Sequence, residues 1–458
     1  MTKKQRSFLF FLMVFLFIIA GPLIVLYFQG YRIDFQNRQI VQTGAFYFRI
    51  MPKSVRIEIN SLIDEKIKIS STDFIFGTAY IENLLPRKYE VKVSKKNYHN
   101  WTKELKIDEK MATEVKNITL IPEKPKFEIL IEKVEDLFYF PETDIFIIKN
   151  QDVKKWSLLK QDKRTELFSS FFSSDSEGKL INLINLNKPE KLIIEIEENK
   201  IINYYLLDTE NENDIIKLDI PDKIKKISYH PKENETLIFL KENEIFSYNY
   251  QNKKTSLFLS NVIDYSFDLN GNFFWLLDDG FLMKTIENPE KANRISLEIK
   301  NEKNDYEIIF PNFSEKIIRA DNNFYLLNNE NLIFEKIFEN QYNPIVSPDF
   351  KKLVYFNDYE IKLLFLESVD DQPQRNRLDN IFLTRFSKEL KNINWYTSHY
   401  LIFNISDEIK IIEIDDRNNI NIVNIANFKD PKIHFDLISK KLYILSENKL
   451  FVSEKLIP

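Results

Sequence analysis

Residues 8–28, FLFFLMVFLFIIAGPLIVLYF, carry no charge and show no polar face. At about 1.5 Å per residue such a run reaches about 31 Å, enough to cross a hydrocarbon core of about 30 Å. Beyond it the apolar positions recur with a period of two. VRIEIN (55–60) alternates Val55, Ile57 and Ile59 with Arg56, Glu58 and Asn60. IKIS (67–70) does the same, and YEVKVS (89–94) sets Tyr89, Val91 and Val93 against Glu90, Lys92 and Ser94. Such alternation predicts strands with one buried face. Met51-Pro52-Lys53-Ser54, Phe76-Gly77-Thr78, Leu85-Pro86-Arg87-Lys88 and Lys96-Asn97 supply the turns between them. Five to seven short strands over 43–121 predict a small antiparallel β-sandwich. IPEKPKFE (121–128), with its two prolines and charges, reads as a linker or domain boundary.

A longer repeat follows. ISYHPKENETLIFLKENEIFSYNY (227–250), IDYSFDLNGNFFWLLDDGFLMKTI (263–286), IVSPDFKKLVYFNDYEIKLLFLES (345–368) and PKIHFDLISKKLYILSENKLFVSEK (431–455) share one plan. A strand, a polar turn and a second, strongly apolar strand are followed by a further turn and strand. Anchors for the second strand fall near Ile145, Leu192, Leu237, Phe273, Lys316, Lys352, Tyr400 and Lys441, at intervals of about 36 to 48 residues. That period suits four-stranded propeller blades, and ring closure would remove exposed sheet edges. Seven or eight blades fit, one of them split between the ends of the region; tandem β-sandwiches are the alternative. Residues 165–222 are poorly patterned. The fold expected is therefore mainly β. A cytoplasmic N-terminus (1–7) and a transmembrane signal anchor (8–28) precede a β-sandwich domain (43–121) and a β-propeller domain (127–458).

Charge orients the first segment. Lys3, Lys4 and Arg6 precede the apolar run, so the positive-inside rule places the N-terminus in the cytoplasm and the bulk outside, as a single-pass cell-membrane protein. A cleaved signal peptide is the other reading, but its apolar region is shorter and Leu-Tyr-Phe-Gln-Gly is a poor cleavage site. The chain of 458 residues has a formal net charge of -5, which gives no global case for nucleic-acid binding. It has no cysteine, which removes disulfides, thiolate metal sites and cysteine nucleophiles.

Two stretches carry family resemblances. Pro52-Lys53-Ser54-Val55, Gly77-Thr78-Ala79, Leu85-Pro86-Arg87-Lys88-Tyr89 and Lys95-Lys96-Asn97-Tyr98 resemble, in order, the turns of the PEGA domain. That domain is a small β module of exported bacterial and archaeal proteins. Its Gly-Ala is Ser-Val here, its Pro-Gly is Pro-Arg, and Asn97 stands for a glycine, a replacement Asn tolerates at positive φ. The resemblance implies surface binding or attachment and brings no catalytic residue. Ser347-Pro348-Asp349 resembles the Ser-Pro-Asp-Gly turn of WD40-like repeats in TolB-type propellers. His230-Pro231-Lys232 and Asp268-Leu269-Asn270-Gly271 occupy the same place in their units.

The search for chemistry assigns no catalytic, cofactor-binding or metal-ligating residue, and no cofactor. The four histidines, His99, His230, His399 and His434, lack metal-ligand spacing. His230 reads as a turn residue and His434 as a half-buried strand residue. No P-loop, GxGxxG or GxSxG occurs. Asp278-Asp279, Asp370-Asp371 and Asp415-Asp416 read as solvated turns, and Trp101 as a modest candidate for a surface contact. The sequence thus favours a membrane-anchored extracytoplasmic binding or scaffold protein of the cell envelope. Its partners are the membrane, through residues 8–28, and an envelope protein or glycan that the sequence does not name. A cell-surface propeller enzyme, a hydrolase or lyase on glycans or peptides, is the alternative. It would need ionisable side chains converging in one deep pocket.

Overall fold

The computed structural model describes residues 3–457 except 36, 64–66, 140–144, 151–155, 161–162, 168–178, 186–190, 209–214, 286–290, 300–304, 322 and 340–341. One helix, α1 (Lys3–Phe28), contains the apolar run and Pro22. Its span Gln5–Phe28 is long and apolar enough to cross a membrane and has no buried face. A short antiparallel hairpin follows, β1 (Tyr31–Asp34) and β2 (Gln39–Gln42).

Seven strands then form two sheets. β3 (Gly44–Met51) lies between β6 (Thr78–Leu84) and β9 (Ala112–Thr119). The other sheet runs β5 (Ile67–Ser71), β4 (Arg56–Ser61), β7 (Lys88–Ser94) and β8 (Trp101–Lys106). Both sheets feed one core, in which Phe46, Phe48 and Ile50 of β3 meet Ile57, Ile59, Val91 and Val93. Tyr89, Val91 and Val93 are buried, as their alternation requires. The module is not wholly antiparallel, because β3 and β9 run parallel. IKIS also departs from expectation. β5 pairs Ile67 with Asn60 and Ile69 with Glu58, positions that face away from the core, and both isoleucines are exposed. Alternation fixes which residues share a face; the register with β4 chooses which face is inside. Asn97 has φ 68° and Gly77 φ 71°. A Cβ on Gly77 would lie 2.5 Å from the Ile50 carbonyl oxygen.

β10 (Phe127–Glu132) opens the remainder, which contains eight four-stranded antiparallel sheets among the described residues. Sheets 1 to 7 span 134–167, 179–218, 226–260, 262–294, 306–339, 343–385 and 390–427, each with its strands in chain order. Sheet 8 takes three strands from 432–453, and β10 pairs with its last strand, Lys449–Ser453. Every second-strand anchor read from the sequence falls in or next to the second strand of a sheet. Sheet 2 occupies the poorly patterned region; residues 168–178 of that stretch lie outside the described residues.

Several second strands are buried on both faces. Tyr400–Ile405 is buried throughout and Thr236–Lys241 nearly so, whereas the fourth strand Lys254–Ser260 is mostly exposed. This explains the unbroken apolar runs LIFL, LVYF, YLIF and LYIL: a strand with neighbours on both sides has no polar face. Hydrophobic clusters join sheets 2 and 3, 3 and 4, 4 and 5, 5 and 6, 6 and 7, and 7 and 8. A further cluster joins sheet 8 to sheet 1 through Ile131, Val134, Leu137 and Leu450. The array is propeller-like.

The turns between first and second strands reuse one device. His230 Nδ1 accepts from the Glu233 amide (2.8 Å), Asp268 Oδ1 from Asn270 and Asn272 (each 2.9 Å), and Asn312 Oδ1 from Glu315 (2.7 Å). Ser347 Oγ accepts from Lys352 (2.9 Å), Thr397 Oγ1 from His399 (3.0 Å), and Asp436 Oδ2 from Ser439 (2.9 Å). A short polar side chain thus satisfies backbone donors that the turn leaves without ladder partners. His230 is therefore a turn residue.

Candidate functional site

Among the described residues, a network of buried and half-buried charges lies where β8 and β9 meet sheets 6 and 7. Lys103 shares the inward face of β8 with Trp101 and Leu105 and is fully buried. Its ammonium sits 2.7 Å from Glu413 Oε1 and donates to the Asp415 carbonyl at 2.6 Å. Trp101 Nε1 donates to Glu413 Oε2 at 2.7 Å. Asn421 completes the shell of Glu413 through its amide (2.9 Å) and Nδ2 (2.7 Å). Trp101 is therefore an internal contact between the two parts of the chain. The expected surface contact is corrected, because the ring packs in the module core while its N–H reaches across the junction.

β9 is held in parallel fashion. Its Thr119 amide donates to the Tyr400 hydroxyl (3.1 Å), its Glu114 amide to Gln372 Oε1 (3.1 Å), and Gln372 Nε2 returns a bond to the Ala112 carbonyl (3.2 Å). Arg417 clasps Asp415 and also donates to the Glu114 carbonyl at 2.9 Å. Lys116 lies 2.8 Å from Asp371, and Arg375 pairs with Asp416. Asp415-Asp416 is half-buried in this junction and is not a solvated turn, whereas Asp278-Asp279 and Asp370-Asp371 are exposed, Asp371 reaching Lys116 from the surface. The segment 121–128 is tied at both ends and is not a free linker. Ile121 is buried against sheets 7 and 8, Tyr98 bridges to Pro122, and the Lys126 amide donates to Glu454 at 3.0 Å.

Electrostatics follow from burial. Burial pushes the Asp415 carboxyl up, but Arg417 and Lys103 outweigh it and hold it below the usual carboxylate range. Burial, with the nearby Lys352 ammonium adding to it, takes His399 down to about 4, so it is neutral at pH 7. Burial raises the Tyr400 hydroxyl well above its ordinary value. His434 is half-buried, stacked on Tyr139, and held neutral by burial. Among the described residues no group of three or more His, Asp or Glu is placed to hold a metal ion.

A cleft opens within the junction, lined by Lys116, Asp371, Arg375, His399, Asp415 and Arg417 among others, with a volume of about 70 Å³. A water takes about 30 Å³ and small-molecule sites run to about 300 Å³ or more, so this space suits a few waters. Converging ionisable groups are present, but they are paired with one another across a packed interface. Their separation in the chain, 312 residues between Trp101 and Glu413, gave no local signal.

No family model matches the chain, and no curated protein matches it. Among solved structures it is similar to the Dos1 propeller (TM-score 0.45, 11% identity, covering 72% of this chain and 94% of that one). It is also similar to an oligogalacturonate lyase from Vibrio parahaemolyticus (0.39, 9%, 72% and 98%). A third is the β-propeller domain of Myceliophteria thermophila Cps50 (0.36, 9%, 72% and 99%).

Proposed function

We propose that this is a membrane-anchored, extracytoplasmic binding or scaffold protein of the cell envelope. In this reading α1 is an uncleaved single-pass anchor with a cytoplasmic N-terminus. Residues 43–121 are a PEGA-like β-sandwich, and 127–458 form an eight-bladed propeller whose last blade is closed by β10. The observation that carries it is the junction around Lys103 and Glu413. Its buried and half-buried charges are spent on fixing two β units to one another, which suits a rigid platform. The enzyme reading draws on His399, Asp371 and Asp415 around the junction cleft, but about 70 Å³ leaves no room for a sugar or peptide.

The test has two arms on the full chain. A reporter fused after Pro458 is active outside the cytoplasm; activity only inside overturns the orientation. Purified full-length protein turns over neither polysaccharides, polygalacturonate included, nor peptides. Turnover that Asp415→Asn abolishes overturns the scaffold reading.

A further inference from the structure

A second, larger cleft lies directly beyond α1. It has a volume of about 520 Å³, is open to solvent, and lies between the β1–β2 hairpin and the end of the two-layered module. That volume is in the range of small-molecule sites. Ile33, Phe35 and Ile67 contribute apolar walls, and all three are well exposed, Phe35 at 83%. Arg32, Lys68 and Arg87 contribute cations, and among the described residues Asp34 is the one acid in the lining. Asp34 pairs with Arg87 at 3.1 Å, both side chains buried. The lining therefore keeps a surplus of two positive charges. Arg32 donates to Asn83 Oδ1 (2.8 Å) and Lys68 to the Glu82 carbonyl (2.6 Å), which orient the two cations without neutralising them.

The cleft is tied to the end of the apolar helix. Arg32 lies over the Tyr27 ring at 3.7 Å and donates to the Tyr27 carbonyl at 2.8 Å. The Thr43 amide donates to Gly30 (2.9 Å) and Gln42 Nε2 to Gln29 (3.3 Å), so both ends of the hairpin are bound to the helix terminus. One hairpin face meets the module through Asp34 and Val41. The other carries the cross-strand pair Ile33 and Ile40, exposed at 56% and 69%. Exposed aliphatic and aromatic side chains beside unneutralised cations, at the mouth of a membrane helix, match a phospholipid: cations for phosphate, apolar walls for the upper acyl chain.

We propose that this cleft binds one anionic phospholipid of the adjacent leaflet, its phosphate between Arg32 and Lys68 and its acyl chain against Ile33, Phe35 and Ile67. The proposal rests on the reading of α1 as a membrane anchor. The bound lipid braces the module against the bilayer, so that the propeller-like array is held at a set angle instead of swinging on the helix.

The test uses full-length protein in phosphatidylcholine nanodiscs containing a phosphatidylglycerol with a photoreactive group high on its acyl chain. Crosslinks, mapped by peptide mass spectrometry, fall at 31–40 and 67–69 as well as along 8–28. A Lys68→Gln, Ile67→Asp double substitution, at exposed positions that leave the core intact, lowers the yield at 31–40 and 67–69 about tenfold, the factor for about one lost contact. The yield along 8–28 stays unchanged and serves as the internal control. Phe35→Ser lowers the cleft yield in the same way. Crosslinks confined to 8–28, or a cleft yield the substitutions leave unchanged, overturn the lipid site. Displacement of the crosslink by inorganic phosphate as readily as by added phosphatidylglycerol assigns the cleft to free phosphate and overturns it too. A chain that does not enter nanodiscs refutes the anchor itself, a separate and visible failure.

Discussion

At the residue scale, His399 reports on the junction. Burial favours its neutral form and takes its pKa to about 4, against about 6.5 in an unfolded chain. Between these values the unfolded state binds a proton that the folded state does not, so stability falls as pH drops. Its contribution is complete above about 6.5 and declines down to about 4. Of the facing charges, Lys352 reinforces the effect of burial, and Asp349, Asp371 and Asp415 oppose it. Full-length protein should therefore melt at a lower temperature at pH 5 than at pH 7, and His399→Asn should reduce the difference. Equal differences in the two proteins would refute the assignment. None of this was legible from the sequence, where His399 was one of four scattered histidines. Its neutrality depends on what surrounds it, and those groups come from other turns. By contrast, the turn role of His230 was readable, because the cap it makes involves residues two and three positions on.

At the element scale, local pattern did most of the work. Strand faces followed alternation, and doubly buried second strands such as Thr236–Lys241 and Tyr400–Ile405 followed unbroken apolar runs. IKIS is the instructive exception. Period two cannot say which face is inward, and an edge strand that overhangs the core is free to turn its isoleucines out. Gly44 shows a constraint of the same kind that no pattern revealed. A Cβ there would lie 2.5 Å from the Asp108 carbonyl oxygen and 2.6 Å from that of Met111. Both are backbone atoms in the turn between β8 and β9, so relief requires moving that connection. Gly44→Ala should destabilise the two-layered module by about 1–3 kcal/mol, the usual range for overpacking. Urea unfolding followed at Trp101, whose ring lies in that core, checks it; an unchanged midpoint would show that the turn yields freely.

At the scale of the whole molecule, the decisive feature is the contact between the two β units. Replacing Lys103 with Met leaves Glu413 buried without its cation, a change that typically costs about 3–5 kcal/mol. Lys103→Met with Glu413→Gln should recover part of that, because the double substitution removes the stranded charge. The same substitutions should expose 122–126 to protease, since Ile121 and the Tyr98–Pro122 bridge hold that segment only while the units stay docked. A double-substitution penalty equal to the sum of the single ones would show that the pair is not coupled.

The sequence by itself determined the apolar helix, the strand-rich character, the existence of two β regions and the repeat of the second. Each of these is written in spacing between near neighbours, where side-chain period maps directly onto burial. A unit split between the ends of the second region was also legible, but only the tertiary structure decided that β10 is the strand completing it and that Trp101 and Lys103 serve an internal seam. It alone brought Arg32, Lys68, Ile33 and Ile67 around one cleft beside the helix. Those outcomes join residues tens to hundreds of positions apart, and a partner at that distance leaves no periodic trace in the chain.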